Sequence, residues 1–196
     1  MNTLTLDVKS VNLTDEQFEQ LCQHNLEWRI EQTANGELIV MAPVGGESGE
    51  REANFIIDLG IWNRQTKLGH VFSSSTIFQL PNGGKRSPDA AWVSNQRWKE
   101  LTPLQRRKFP PIAPDFVIEL RSATDDLDKL QAKMHEYLDS GVRLGWLINP
   151  QDQQVEIYRL GQSVEVLNLP VNLSGEDVLP EFRLSVNIFV SSLVDS

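Results

Sequence analysis

The stretch APDFVIELRSATDDLDK, residues 113–129, places the tightest constraint on how this chain folds. Phe116, Val117, Ile118 and Leu120 read as a strand buried on both faces, yet Glu119 stands inside the apolar run. A carboxylate is costly to remove from water unless a cation pairs with it or it coordinates a metal. The fold must therefore bring something to Glu119. Side chains alternate across a strand, so Val117, Glu119 and Arg121 share one face and Phe116, Ile118 and Leu120 the other. A partly buried Glu119–Arg121 ion pair is one solution. A second comes from RSPDAAWV, where Asp89 opens another apolar run, Ala90–Val93. Two acids on neighbouring strands, beside a cation, suit a hard divalent ion such as Mg2+ or Mn2+, which takes carboxylate, water and phosphate oxygens. Asp after Pro88 equally suits a turn at a strand entry, and spacing alone leaves both readings open. Asp115 also follows a proline on the same face as Glu119. Four strand residues at ~3.3 Å each hold it roughly 13 Å from Glu119, too far to share one ion.

The flanking segments read as an α/β chain. Thr14 and Gln17 have capping-box spacing before Phe18, Leu21 and Cys22, which predicts a helix over 15–24. Asn35-Gly36 between β-patterned runs predicts a hairpin. A glycine-rich loop, 43–49, precedes a helix over 50–67. Val71–Leu80 and Pro88–Val93 read as two strands joined by the turn Pro81-Asn82-Gly83-Gly84, and 96–108 as a basic helix or ordered loop. A helix over 126–140 carries Leu127, Leu130, Met134, Tyr137 and Leu138 on one side and ends at Gly141. Leu144–Ile148 is an apolar strand, a hairpin turns at Gly161-Gln162, and more strand-like residues follow Pro170. With no repeat or linker in 196 residues, one domain over 1–196 with its core at about 12–190 is the economical expectation.

Composition limits the function classes. The net charge of -9, from 18 basic and 27 acidic residues, disfavours a protein that coats nucleic acid, though not a nuclease with a local basic groove. Cys22 is the only cysteine, which excludes an internal disulfide and a multi-cysteine zinc site. No run reaches membrane-span length, and MNTLTLDVKS lacks the basic and apolar regions of a secretory signal. A cytoplasmic protein with no membrane partner is the expectation.

Several features recur in a characteristic order: the early hairpin, Gly45-Gly46-Glu47, Leu68-Gly69 with Phe72, Pro88-Asp89, Glu119 with Ser122, Lys133 with Tyr137, Gly141-Val142, and Trp146 to Pro150. None is specific alone, but together they resemble the PD-(D/E)XK nuclease superfamily. More narrowly, they resemble the large bacterial family labelled "putative restriction endonuclease", formerly a domain of unknown function. The likeness covers roughly residues 12 to 190. It implies a restriction-endonuclease-like mixed β-sheet flanked by helices, with an N-terminal helix and hairpin and additional C-terminal strands. It implies a metal-dependent endonuclease acting on DNA, with Glu47, Asp89 and Glu119 as ligands of Mg2+ or Mn2+. Glu50 and Glu52 are rivals of Glu47, and Ser48 stands where the family often has histidine. The superfamily's usual lysine two residues after the glutamate is Arg121 here. Arginine stays protonated and is a poor base, so it is expected to contact the scissile phosphate or brace Glu119. The lysine role then falls to Lys133, with Lys129 the alternative and Gln131 a further residue near the site. One site per chain, against two strands to cut, makes a homodimer the expected assembly. The competing class is a catalytically degenerate nuclease-fold module that binds nucleic acid or a protein partner; Arg121 and the acidic charge favour it.

Other features carry less. His24, His70 and His135 lack metal-ligand spacing, and Ser73-Ser74-Ser75-Thr76 has no histidine–acid pair. The glycine-rich stretches match neither phosphate-binding fingerprint. Arg97, Lys99, Arg106, Arg107 and Lys108, flanked by Trp98 and Phe109, form a basic cluster that reads equally as a DNA-backbone contact or a solvated face. Trp62, Trp92 and Trp146 read as core.

Overall fold

The computed structural model describes residues 3–187, so the end of the tail, including the expected core limit near 190, lies outside the described residues. The elements run β1 (Leu4–Asp7), α1 (Asp15–Gln23), β2 (Arg29–Gln32), β3 (Glu37–Met41), α2 (Gly46–Thr66), β4 (Gly69–Ser73), β5 (Phe78–Gln79), β6 (Lys85–Arg86) and β7 (Ala90–Ser94). They continue with α3 (Asn95–Glu100), α4 (Pro103–Arg107), β8 (Phe116–Leu120), α5 (Leu127–Asp139), β9 (Leu144–Asn149), β10 (Gln154–Arg159), β11 (Glu165–Asn168), β12 (Val171–Ser174) and β13 (Arg183–Val186).

A six-stranded sheet in the order β11-β10-β9-β8-β7-β4 forms the centre. Its one parallel pair is β8–β9, which requires a crossover, and α5 supplies it. On one face, Phe55, Leu59 and Trp62 of α2 pack with Phe116, Ile118, Trp146 and residues of the β12–β13 hairpin. On the other, Met134, Tyr137 and Leu138 of α5 pack with Val117 and Leu147. The two faces of β8 therefore belong to two different cores, as the apolar residues on both of its faces require. A second, five-stranded sheet, β1-β3-β2-β6-β5, carries the N-terminal hairpin.

Local signals explain most boundaries. Thr14 accepts from the Gln17 N–H while Gln17 reaches back to Thr14, closing the expected capping box of α1. Gly36 (φ +85°) makes the β2–β3 turn and Gly141 (φ +101°) ends α5, both in the left-handed region that favours glycine. Thr102 caps α4 with Pro103 at its first position.

Two expectations are corrected. The helix expected from residue 50 begins at Gly46: Gly45 is an extended cap, and Glu47 in the first turn suits the positive end of the helix dipole. The run Val71–Leu80 is not one strand. β4 pairs with β7 in the central sheet, whereas β5 pairs with β6 in the other. The polar break Ser74–Thr76 lets the chain change sheets there, and the Pro81–Gly84 turn joins β5 to β6. Gly69 makes the β4 contact possible, because a Cβ there would lie 2.3 Å from the Val93 carbonyl oxygen and 2.5 Å from the Trp92 ring. Gly69→Ala is expected to lower stability by about 1–3 kcal/mol through overpacking. Urea unfolding measures this, and an unchanged midpoint would contradict it.

Candidate active site

The site forms where both sheets meet α5. The β7–β8 register pairs Ala90 with Ile118, so one step earlier Asp89 stands opposite Glu119. Asp89 Oδ2 accepts the Leu120 N–H at 2.8 Å, and Arg29 of β2 lies 3.4 Å from Oδ1. Glu119, only 4% exposed, accepts from the Tyr137 hydroxyl at 2.9 Å and pairs with Lys133 Nζ at 2.8 Å. Both donors meet Oε1. Lys133 and Tyr137 lie one helical turn apart on α5, which is why one face of the helix delivers both.

Lys133 also donates to Glu31 Oε1 at 2.9 Å. Glu31, on β2, is 1% exposed. It accepts from Arg86 Nη1 at 3.0 Å and from the Ser87 N–H at 2.9 Å. Arg86 in turn pairs with Glu136 of α5. A buried chain of alternating charge thus runs Glu119–Lys133–Glu31–Arg86–Glu136 and ties the second sheet to the central one. Each member has a partner, as burial of charge demands.

The electrostatics divide the two buried glutamates. Burial would raise the Glu31 carboxyl, but Lys133, Arg86 and the Ser87 N–H outweigh it and hold its pKa at about 2, below the ordinary 4.5. Glu119 goes the other way, to about 7: burial raises it, Lys133 opposes, and the charges of Asp89 and Glu31 add to the rise. Burial would lower the Lys133 ammonium, yet Glu119 and Glu31 raise it above its ordinary value. Lys133 therefore holds its proton at neutral pH. Burial, with the Glu119 charge, pushes the Tyr137 hydroxyl well up, so it stays a donor.

These groups line a cleft of about 1140 Å³. Among its buried and half-buried lining residues, the acids Glu31, Glu37, Glu52, Asp89, Glu119, Asp125 and Glu136 outnumber the cations Arg29, Arg86 and Lys133. Glu52 of α2 accepts from the Ser74 hydroxyl, and burial, aided by the Asp89 charge, raises its pKa.

The structure brings Asp89, Glu119 and Lys133 together. Glu47 it leaves outside: the side chain is 74% exposed and pairs with Arg51, whereas Glu52 lines the cleft. Arg121 does not reach Glu119 but bonds Asp152 at 2.9 Å, Asn149 at 3.2 Å and the Asp125 carbonyl at 3.3 Å. Its side chain follows the turn after β8, where alternation no longer holds. Lys129 and His135 line the cleft, and Gln131 donates instead to Glu156. Asp115 accepts the Ser94 N–H and pairs with Arg97 at the other end of β8. In the basic cluster, Arg97 and Lys108 are thereby held by Asp115 and Glu19, and Arg106 stacks on Trp98. Sequence reasoning missed Glu31 and Arg86. Among the described residues, no three His, Cys, Asp or Glu side chains form a group that could hold a metal by themselves, and no helix is long and apolar enough to cross a membrane.

The family described as "Uma2: Putative restriction endonuclease" matches residues 15–187. Among solved structures, the chain is similar to a protein from Anabaena variabilis described as a "putative nuclease belonging to DUF820". The two share 22% identity over 80% of this chain and 86% of that one, with a TM-score of 0.66, which establishes a shared mixed α/β fold. No curated protein matches the chain.

Proposed function

The chain belongs to the Uma2 family, whose description as "Putative restriction endonuclease" supports a nuclease function, and from that premise we propose a metal-dependent endonuclease that hydrolyses phosphodiester bonds in DNA at the Asp89–Glu119 pair. The observation that carries this reading is a buried glutamate opposite a second carboxylate, in a cleft whose acids outnumber its cations. The donor set fits a hard divalent cation. Asp89 and Glu119, with Glu52 nearby in place of Glu47, offer oxygens only, and Mg2+ or Mn2+ commonly takes one or two carboxylates and completes its shell with water and substrate phosphate. When bound, such an ion supplies charge against the oxygens of the reacting phosphate and acidifies water.

The chain's own groups supply the rest. Lys133 acts as a charged hydrogen-bond donor to the phosphate or to the attacking water, and not as a base, because its ammonium is stabilised by Glu119 and Glu31. Glu31 fixes that ammonium from behind, and Tyr137 fixes the Glu119 rotamer through Oε1. Arg121 braces the turn after β8 through Asp152 and takes no part in the chemistry. Cutting both strands requires two such sites, so the working unit is a homodimer.

Supercoiled plasmid incubated with Mg2+ or Mn2+, and with chelator, tests the proposal. Nicked or linear product that appears only with the metal is expected, and a parallel RNA substrate decides the sugar. A folded protein that cuts neither nucleic acid in either metal would instead make Lys133 the permanent counter-ion of Glu119 and the fold a binding module.

A further inference from the structure

Two cations of the chain face the Asp89–Glu119 pair, and they are held differently. Lys133 Nζ lies 2.8 Å from Glu119 and 2.9 Å from Glu31, so two buried acids fix it. Arg29 meets Asp89 through a single contact of 3.4 Å, from Nη2 to Oδ1, and the same nitrogen donates to the Ser87 carbonyl at 3.2 Å. Strong charge-assisted bonds run at about 2.7–2.9 Å, and arginine often makes them to a carboxylate in pairs. The Arg29–Asp89 contact has neither property. Arg29 Nε is moreover buried with no hydrogen-bond partner among the described residues, a costly state for a donor. One cation is held firmly and the other loosely.

Strand β2 brings Arg29 to this place. Arg29 and Glu31 alternate with Ile30, which packs with Phe18 and Leu38 in the N-terminal core, so both charged side chains face the cleft. Asp89 and Glu119 thus each have a cation of the chain beside them, with which a divalent ion between the two acids must compete. Lys133 is fixed from behind by Glu31 and keeps its place. Arg29 makes no second ion pair among the described residues. On the reading of the cleft as a metal-dependent nuclease, we propose that Arg29 is the counter-ion that Asp89 exchanges for the metal, and that the freed guanidinium then holds the substrate phosphate. Repulsion between like charges turns the guanidinium from Asp89, and a phosphate oxygen satisfies donors that the chain itself leaves short. The planar fork of arginine suits phosphate. Arg29 thereby makes the phosphate contact expected of Arg121, which is bound to Asp152 instead.

Calorimetric titration of Mn2+ into the full chain, without DNA, reads the exchange apart from catalysis. Arg29→Met removes the charge and keeps an unbranched side chain. It is expected to bind Mn2+ roughly tenfold more tightly than the wild type, because a like charge has left the side of the ligand. At saturating Mn2+ the same variant is expected to cut plasmid roughly 10- to 100-fold less efficiently, the effect of losing a hydrogen bond to a charged group. Arg29→Lys, which keeps the charge, is expected to return Mn2+ affinity to the wild-type level and to restore part of the cleavage. Unchanged or weaker Mn2+ binding by Arg29→Met would overturn the exchange, and tighter binding with full cleavage would overturn the phosphate contact. If the wild type binds Mn2+ but cuts no nucleic acid, the nuclease reading fails by itself, and the calorimetric comparison still decides the exchange.

Discussion

Glu119→Gln is expected to lower DNA cleavage by at least ~10²-fold, because loss of groups that merely orient metal ligands already costs 10- to 100-fold and a direct ligand costs no less. The same variant is expected to be no less stable than the wild type at pH 8. The Glu119 carboxyl titrates at about 7 in the folded chain against an ordinary 4.5. Between those values the folded chain holds a proton that the unfolded chain has lost, so ionisation progressively costs stability as pH rises from 4.5 through 7. The full penalty is on the order of 3 kcal/mol, at about 1.4 kcal/mol per pKa unit. Glutamine escapes it, while its amide oxygen still accepts from Lys133 and Tyr137. Plasmid cleavage and urea unfolding on one preparation separate the possibilities. Lost activity with retained stability marks a functional carboxylate, whereas parallel loss of both would make Glu119 a structural ion-pair partner of Lys133.

Glu31→Ala carries the opposite signature and the largest expected effect on stability, about 3–5 kcal/mol, the usual consequence of removing one partner from a buried ionic network. Lys133 would keep only Glu119, and Arg86 only Glu136. The pH dependence also reverses. Glu31 titrates at about 2 in the folded chain against 4.5 ordinarily, so its stabilisation is complete above 4.5 and lost as pH falls toward 2. The stability gap between wild type and variant, wide at pH 7, should therefore narrow through that window in denaturant titrations. A constant gap would mean that Glu31 acts by packing and not by charge. Glu31→Gln, which keeps the shape, should recover part of the stability while leaving Lys133 less firmly held.

What could be read from the sequence, and what could not, follows from distance along the chain. Asp89 and Glu119 stood out because strand alternation is local and two short apolar runs each carried one acid, whereas Lys133 came from the family resemblance and spacing alone read Tyr137 as core. Glu31 was not legible. It alternates with Ile30 before an Asn-Gly turn, the pattern of a solvent-facing strand residue, and only the docking of α5 over the second sheet buries it, through a contact 102 residues apart. The Ser74–Thr76 crossing was hidden likewise, since which sheet a two-residue strand joins is a tertiary matter. The Glu47–Glu52 choice was decidable in principle. Glu52 is seven residues before Leu59 and three before Phe55, whereas Glu47 is eight before Phe55 but twelve before Leu59, so only Glu52 keeps same-face spacing to both. Helical phase, used in place of order in the motif, points to Glu52.

The central claim is that a divalent cation belongs between Asp89 and Glu119, and crystals grown with Mn2+ test it most directly. The expected result is an anomalous difference peak in contact with both carboxylates and near Glu52, with Lys133 still held by Glu31. An ion seated elsewhere, at Glu47 for instance, or no ion and Lys133 Nζ still closed on Glu119, would contradict it.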